Sequence, residues 1–517
     1  MAIVINGSGT VTGISVGGLP DGIVDSDMLA SGAAASAIGD LSDCVTTATD
    51  NVGVGSTALD SLTSGDRNVA VGVGALTAGT SAEDSVAIGY DALVTCVSGG
   101  SNVAVGKDAL KLNTENHNTA VGRSALAANT SGAENVAVGR DALITNTTAS
   151  YNTAVGKDSL KLNTTGANNT AVGKSSLGVN TTGTGNAAVG KNALGANTTA
   201  NDNTAVGHNA LEANTTGTRN VAIGKEALTL NTTGGYNSAM GVYALDANTT
   251  GQENVAMGDV ALSANTTGNN NTALGSYALS ANTTAHNNTA LGKSTLTSNT
   301  TGDKNTGLGK TALYANTTGV QNTSVGFESG DSVTTGMKNT FLGTGAGTTI
   351  TTGSQNVCIG YEAGASETTS SYMLWLARDN SAAHNAGVWI YGNSGGACYQ
   401  GNNSSSWSTS SDERIKKDIV NSSDGLAKID ALQVRNFNYR TPEEITVDGL
   451  TGCDASGLQT GVIAQEIESV LPKAVTENTK GLKQVNTDPI FWAMVKAIQE
   501  LSAQNTALAA RITTLEG

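Results

Sequence analysis

The chain has 517 residues, of which 65 are glycine, four are proline and 4% are aromatic, so a large ring-filled globular core is not expected. Its 43 acidic and 27 basic residues leave a net charge of −16, which argues against a general basic surface for nucleic acid. No basic region precedes a long apolar run and no stretch of 18 apolar residues occurs, so neither a signal peptide nor a membrane span is expected and synthesis is expected in a cytoplasm. Residues 1–34 then read as a leader, with Val4, Ile5, Val11, Ile14 and Val16 among Gly, Ser and Thr predicting short strands or an attachment segment.

Residues 35–365 form a repeat array. Twenty glycines recur from Gly39 through Gly55, Gly72, Gly89, Gly106 and Gly122, and from Gly139 to Gly360 they fall every 17 residues. Each follows an aliphatic residue or Met, and self-similarity at such a period predicts stacked coils rather than one globular core. In the unit Asn152 to Asn168, Thr153 and Val155 alternate with Ala154 as in a short strand, and Gly156 permits a bend. Leu160 adds a second apolar point on an expected second extended stretch, and Asn163 to Gly166 is turn chemistry. Coils at roughly 4.8 Å would make a rod of roughly 100 Å.

Asn stands four residues before the glycine in 18 units, with Ala35 and Ser85 as the exceptions, and either an internal Asn ladder or a turn residue explains it. The residue before the glycine drifts from Val206 to Met240, Met257 and Leu308, to widen the interior or to fill a subunit interface. An α-helical solenoid is disfavoured because 17 residues with a turn are too few for two stable helices, and collagen is excluded by the glycine spacing.

Two resemblances attach to these residues. The leader, beginning MAIVINGSGTVTGISVGG, resembles the start of many phage tail fibres. The array resembles the heads of trimeric autotransporter adhesins, whose coils carry the strand Ala-(Ile/Val)-Gly, although the period here is longer. That resemblance implies a trimeric left-handed β-roll.

Between 366 and 410 the aromatics concentrate: Tyr372, Trp375, Trp389, Tyr391, Tyr399 and Trp407. Val388-Trp389-Ile390-Tyr391 is strand-like. The favoured reading is a well-packed neck; the functional alternative is a receptor or glycan surface on Tyr372, Trp375, Trp389 and Tyr391. Gly343-Thr344-Gly345-Ala346-Gly347 lacks the Gly-Lys-Ser/Thr ending of a phosphate loop. Cys44, Cys96, Cys358, Cys398 and Cys453 have no zinc spacing, and the four histidines are scattered. No metal and no cofactor is expected.

The pattern changes at Ser411-Asp412-Glu413-Arg414-Ile415-Lys416-Lys417, followed by Phe437-Asn438-Tyr439, Gly461-Val462-Ile463-Ala464-Gln465-Glu466-Ile467 and Leu471-Pro472. No histidine follows His384, so a Ser-His-Asp triad inside this module is impossible, whereas a Ser-Lys dyad is chemically open if burial lowers the lysine pKa. Residues 411–517 resemble the peptidase S74 intramolecular chaperone of phage tail spikes and fibres. The resemblance implies Ser411 as nucleophile, Lys416 as its base, and cleavage between Ser410 and Ser411. Phe491, Ile498, Asn505 and Ile512 at a, with Met494, Leu501, Leu508 and Leu515 at d, predict a closing coiled-coil helix that starts near Pro489.

The expected fold is mostly β and fibrous: a trimeric parallel β-roll or β-solenoid of about 17-residue coils, then an α+β chaperone module ending in a coiled-coil helix. The expected function is a homotrimeric phage tail fibre for host-surface attachment, located in the virion tail and self-cleaved at its C-terminal chaperone. Its expected partners are two further copies, a tail or baseplate protein at the N-terminus, and a host surface glycan or outer-membrane receptor, with no nucleic acid. The alternatives are a bacterial trimeric adhesin and a polysaccharide-degrading tailspike.

Overall fold

In the computed structural model the described residues are 50–377, 417–440, 444, 457–477 and 482–517, with the strand residues 4–5, 11–12, 44–45, 388–392 and 398–400. They fall into two compact units, Met1–Trp407 and Ser408–Gly517.

The first unit is a β-solenoid. Twenty short strands, from Val52–Val54 to Leu374–Ala377, pair in parallel. Each strand bonds to the coil before it and the coil after it, which makes a linear ladder and not the wall of a closed barrel. The period sets the register: Thr153 pairs with Thr170, Ala154 with Ala171 and Val155 with Val172. Side chains alternate along a strand, so only the central Ala154 faces inward, where it is fully buried. Leu160 is the second fully buried apolar residue of the coil.

Gly156 adopts φ +138°, and a Cβ on it would lie 2.5 Å from the carbonyl oxygen of Gly173. No other residue fits, which explains the metronomic glycine.

The expected second extended stretch is absent. Residues 157–162 instead make consecutive turns. The cause is local: Asp158 and Leu160 take the left-handed conformation, at φ +59° and +47°. Such residues cost of order 1 kcal/mol or more each. Hydrogen bonds to both neighbouring coils offset that cost, because Asp158 N–H donates back to Arg140 O at 3.0 Å and Leu160 N–H donates forward to Ser176 O at 3.0 Å.

Two rows of buried asparagine run through the interior. In the row before the strands, Asn152 Oδ1 accepts the backbone N–H of Asn169 at 3.0 Å, and its Nδ2 donates to Gly166 O at 2.9 Å. The second row begins at Asn113 and Asn129 and continues every 17 residues to Asn316. Here the amides bond to one another: Asn163 Nδ2 donates to Asn146 Oδ1 and to Gly166 O, both at 2.9 Å. The Gly166 carbonyl therefore accepts a hydrogen bond from each row. The Asn of the Asn-Thr-Thr-Gly turn serves both its turn and a continuous amide ladder, which local turn chemistry alone does not reveal.

Both ends of the ladder carry antiparallel strands. Cys44–Val45 pairs with Val52–Val54 at the start. At the end, Leu374–Ala377 pairs with Val388–Gly392, which pairs with Cys398–Gln400. The strand expected at Val388 to Tyr391 is present, and the antiparallel strands cover edges that would otherwise template further chains. The parallel ladder continues one strand past residue 365 because Leu374–Leu376 keeps the pairing after the glycine signal has vanished.

The second unit contains α1 (Leu426–Ala431), α2 (Ala464–Val470) and α3 (Thr487–Glu516). Two small antiparallel pairs join Arg435–Phe437 to Gln459–Gly461 and Val475–Glu477 to Lys483–Val485. Ile467, Leu471, Ala474 and Ala493 form its buried core. Helix α3 starts at Thr487, with Pro489 in its first turn and Asn486 Oδ1 accepting the N–H of Asp488 at 3.1 Å.

Candidate functional site

Two regions carry functional expectations, the C-terminal module and the surface of the solenoid. In the module, Ser410, Ser411 and Lys416 lie outside the described residues, and the description resumes at Lys417. What is described is the scaffold that follows them. Glu500 on α3 caps α1, its Oε2 accepting the N–H of Leu426 at 2.8 Å. A Cβ at Gly425 would sit 2.5 Å from both Glu500 carboxylate oxygens, so the small residue admits the cap.

Arg435 and Glu466 form a two-pronged ion pair, Nη2 to Oε1 at 2.8 Å and Nε to Oε2 at 3.1 Å. It ties the strand at Arg435–Phe437 to α2 and raises the Arg435 pKa, through the hydrogen bond first and the charge of Glu466 second. Lys483 Nζ bonds to one carboxylate oxygen of Glu468, which ties the strand at Lys483–Val485 to α2 as well. The Ile-Ala-Gln-Glu segment singled out in the sequence therefore supplies Glu466 to this joint.

The heptad row of α3 is uncovered in the single chain. Met494, Ile498, Leu501, Leu508 and Ile512 are all exposed, and every residue from Leu501 to Gly517 is exposed.

On the solenoid, the residues before the glycines point outward. Val138, Met257, Leu291 and Leu342 are exposed, so their drift in size does not widen the interior. The neck residues divide. Tyr372 is 58% exposed, whereas Trp375 is 4% exposed and replaces the central strand alanine. Trp375 therefore belongs to the core and not to a receptor surface of the single chain. The side chains of Trp389 and Tyr391 lie outside the described residues.

The glycine-rich run at 343–347 has a packing explanation that sequence reading missed. Phe341 takes the central strand position and is fully buried, while Gly330 and Gly347 occupy the places that hold Leu160 in its coil. Cys358 and Gly364 repeat the exchange one coil later, a Cβ on Gly364 lying 2.7 Å from Cys358 Sγ. An inward residue other than the usual alanine, with glycine six positions on, was the available signal.

Among the described residues no group of three or more His, Cys, Asp or Glu could hold a metal ion. Cys96 and Cys358 are buried free thiols. Burial pushes the Cys358 thiol up to about 12, and it raises that of Cys96 as well. No described helix is long and apolar enough to cross a membrane.

Residues 411–476 match the Peptidase_S74 family model, described as the chaperone of endosialidase. No solved structure matches the chain.

Proposed function

From a chain that joins a β-solenoid shaft to a C-terminal Peptidase_S74 chaperone-of-endosialidase domain, we propose a subunit of a homotrimeric phage tail fibre that attaches to a host surface. The carrying observation is that the matched domain begins at Ser411, the residue on which the family resemblance places the nucleophile.

In this reading neutral Lys416 accepts the proton of the Ser411 hydroxyl, whose oxygen adds to the carbonyl carbon of Ser410. The Ser410–Ser411 C–N bond breaks as its nitrogen takes up the proton. Water then hydrolyses the resulting ester, freeing the Ser410 carboxylate and the Ser411 hydroxyl. The attack is intramolecular and exploits enforced proximity.

The chaperone answers a problem that the shaft creates. Coils that resemble one another let neighbouring chains align one coil out of step. A terminal module that gathers three chains at matched height fixes their alignment before the coils stack, and cleavage then releases the device. The uncovered heptad row of α3 and the outward apolar row of the solenoid support several copies. The leader would join a tail or baseplate protein, and the fibre would reside in the virion tail after synthesis in the host cytoplasm.

Intact mass of the expressed protein, beside Ser411→Ala and Lys416→Ala, tests the reading. The parent is expected to lose residues 411–517 and both variants to remain whole. A full-length parent in correctly folded trimers would overturn the cleavage step.

A further inference from the structure

One outward row of the shaft never changes in character. The residue before the repeat glycine is aliphatic or Met in all nineteen consecutive coils from Val54 to Ile359. The residue after the glycine is not restricted in this way: it is Tyr90, Lys107, Asp259 or Thr344 in different coils, all exposed. Nothing inside the single chain accounts for the restriction, because these side chains lie on the outer face of each strand, opposite the buried alanine. Fourteen of the nineteen are 36–47% exposed.

The row is long enough to be an interface. One residue per coil, at about 4.8 Å between coils, carries it along the shaft for roughly 90 Å. Burying an aliphatic side chain completely removes about 60–120 Å² from water, so the fourteen exposed ones together show roughly 350–700 Å² of apolar surface. The largest apolar patch of an ordinary monomer is about 300–600 Å², and each partner of a stable interface contributes about 800 Å². A partner that covers the row must offer apolar groups at the same spacing over the same length, and another copy of this chain does so.

We propose that the row packs, coil for coil, against the same row of two further copies, so that the shaft itself, and not α3 alone, holds the copies together. The size of the row favours like meeting like. It is Val from Val105 to Val206, passes through Ile223 to Met240 and Met257, and is Leu from Leu274 to Leu308. A different partner would need a matching step at each change, whereas parallel identical copies related by symmetry supply every step themselves. A slip of one coil leaves most layers of the Val stretch unchanged. The row therefore joins copies without fixing their alignment, which is the task assigned above to the terminal module. The inference rests on the homotrimer reading and names the shaft surface that serves it.

Thiol labelling provides the test. Val172→Cys and Leu291→Cys place a thiol in the row, where the parent residues are 36% and 43% exposed in the single chain, and Thr182→Cys places one on an exposed turn. All three face outward, so the buried core is untouched. Maleimide labelling of the folded full chain, read by peptide mass, is expected to be at least about tenfold slower at residues 172 and 291 than at 182. Mild oxidation of co-expressed Val172→Cys and Leu291→Cys chains is expected to join like residue to like. Sedimentation of the same samples gives the oligomeric state. A trimer in which the row labels as fast as residue 182, or disulfides joining 172 to 291, would overturn this proposal and leave the homotrimer reading standing. A monomer with all three thiols reactive would overturn both.

Discussion

Phe341 fills the space that a side chain on Gly347 would need: a Cβ there would lie 2.4 Å from Cδ1 and Cε1 of the ring. A Cβ on Gly330, one coil earlier, would lie 2.6 Å from Cδ2. One large residue and two glycines therefore replace the Ala and Leu pairs of the ordinary coil. Phe341→Ala should cost about 3–5 kcal/mol, because the two glycines leave a cavity that nothing fills. Gly347→Leu alone should also destabilise, by overpacking. The triple change Phe341→Ala, Gly330→Leu and Gly347→Leu restores the ordinary pattern and should be milder than the sum of the single changes. Chemical denaturation of all the variants measures that coupling.

The second asparagine row ends where the next coil places Val333, and Asn316 Oδ1 is left without a hydrogen-bond partner. Mid-row residues are different. Asn231 Nδ2 donates to Asn214 Oδ1 at 2.9 Å, and its Oδ1 accepts from Asn248 Nδ2 at 2.8 Å. Asn231→Ala strands a buried acceptor below and a buried donor above, whereas Asn316→Ala moves the existing orphan down to Asn299. Asn231→Ala should therefore be the more damaging by about 1–3 kcal/mol. Equal melting curves for the two variants would show that the ladder is energetically idle.

The Cys358 thiol provides a pH dependence with a definite sign. Burial raises it from 9.0 to about 12, so the folded chain holds this proton after the unfolded chain has released it. Its contribution to stability is complete below about 9 and is lost as pH rises toward about 12. Cys358→Ala should flatten the fall in stability across that window, measured by denaturation at stepped pH. At pH 8 the folded parent should leave Cys358 unmodified by a thiol reagent, read by peptide mass, and denaturant should expose it.

The uncovered row of α3 gives a direct test of assembly. Ile498→Asp with Leu501→Asp places charge at one a and one d position without touching Ala493 or Ile467 in the module core. Sedimentation should show assembly lost or weakened at least tenfold, with the helical content of the module retained. An unchanged trimer would mean that copies associate elsewhere.

The period of the glycines was enough to specify stacked coils, their register and the short strand. Each rests on local chemistry, since only glycine tolerates both φ +138° and a neighbour 2.5 Å away at Gly156. The motif at Ser411 likewise marked the module that the family match recovers. Other features needed the third dimension because they join residues a coil apart or more. The amide ladder links Asn163 to Asn146, the Phe341 exchange spans Gly330 and Gly347, and the α1 cap brings Glu500 to Leu426, 74 residues away in sequence. Trp375 shows the same limit: the sequence left a packed neck and a receptor surface both open for it, and parallel pairing with Cys358 turned the ring inward. Periodicity states which residues recur; only the stacking of one coil on the next decides which side of the wall each one faces.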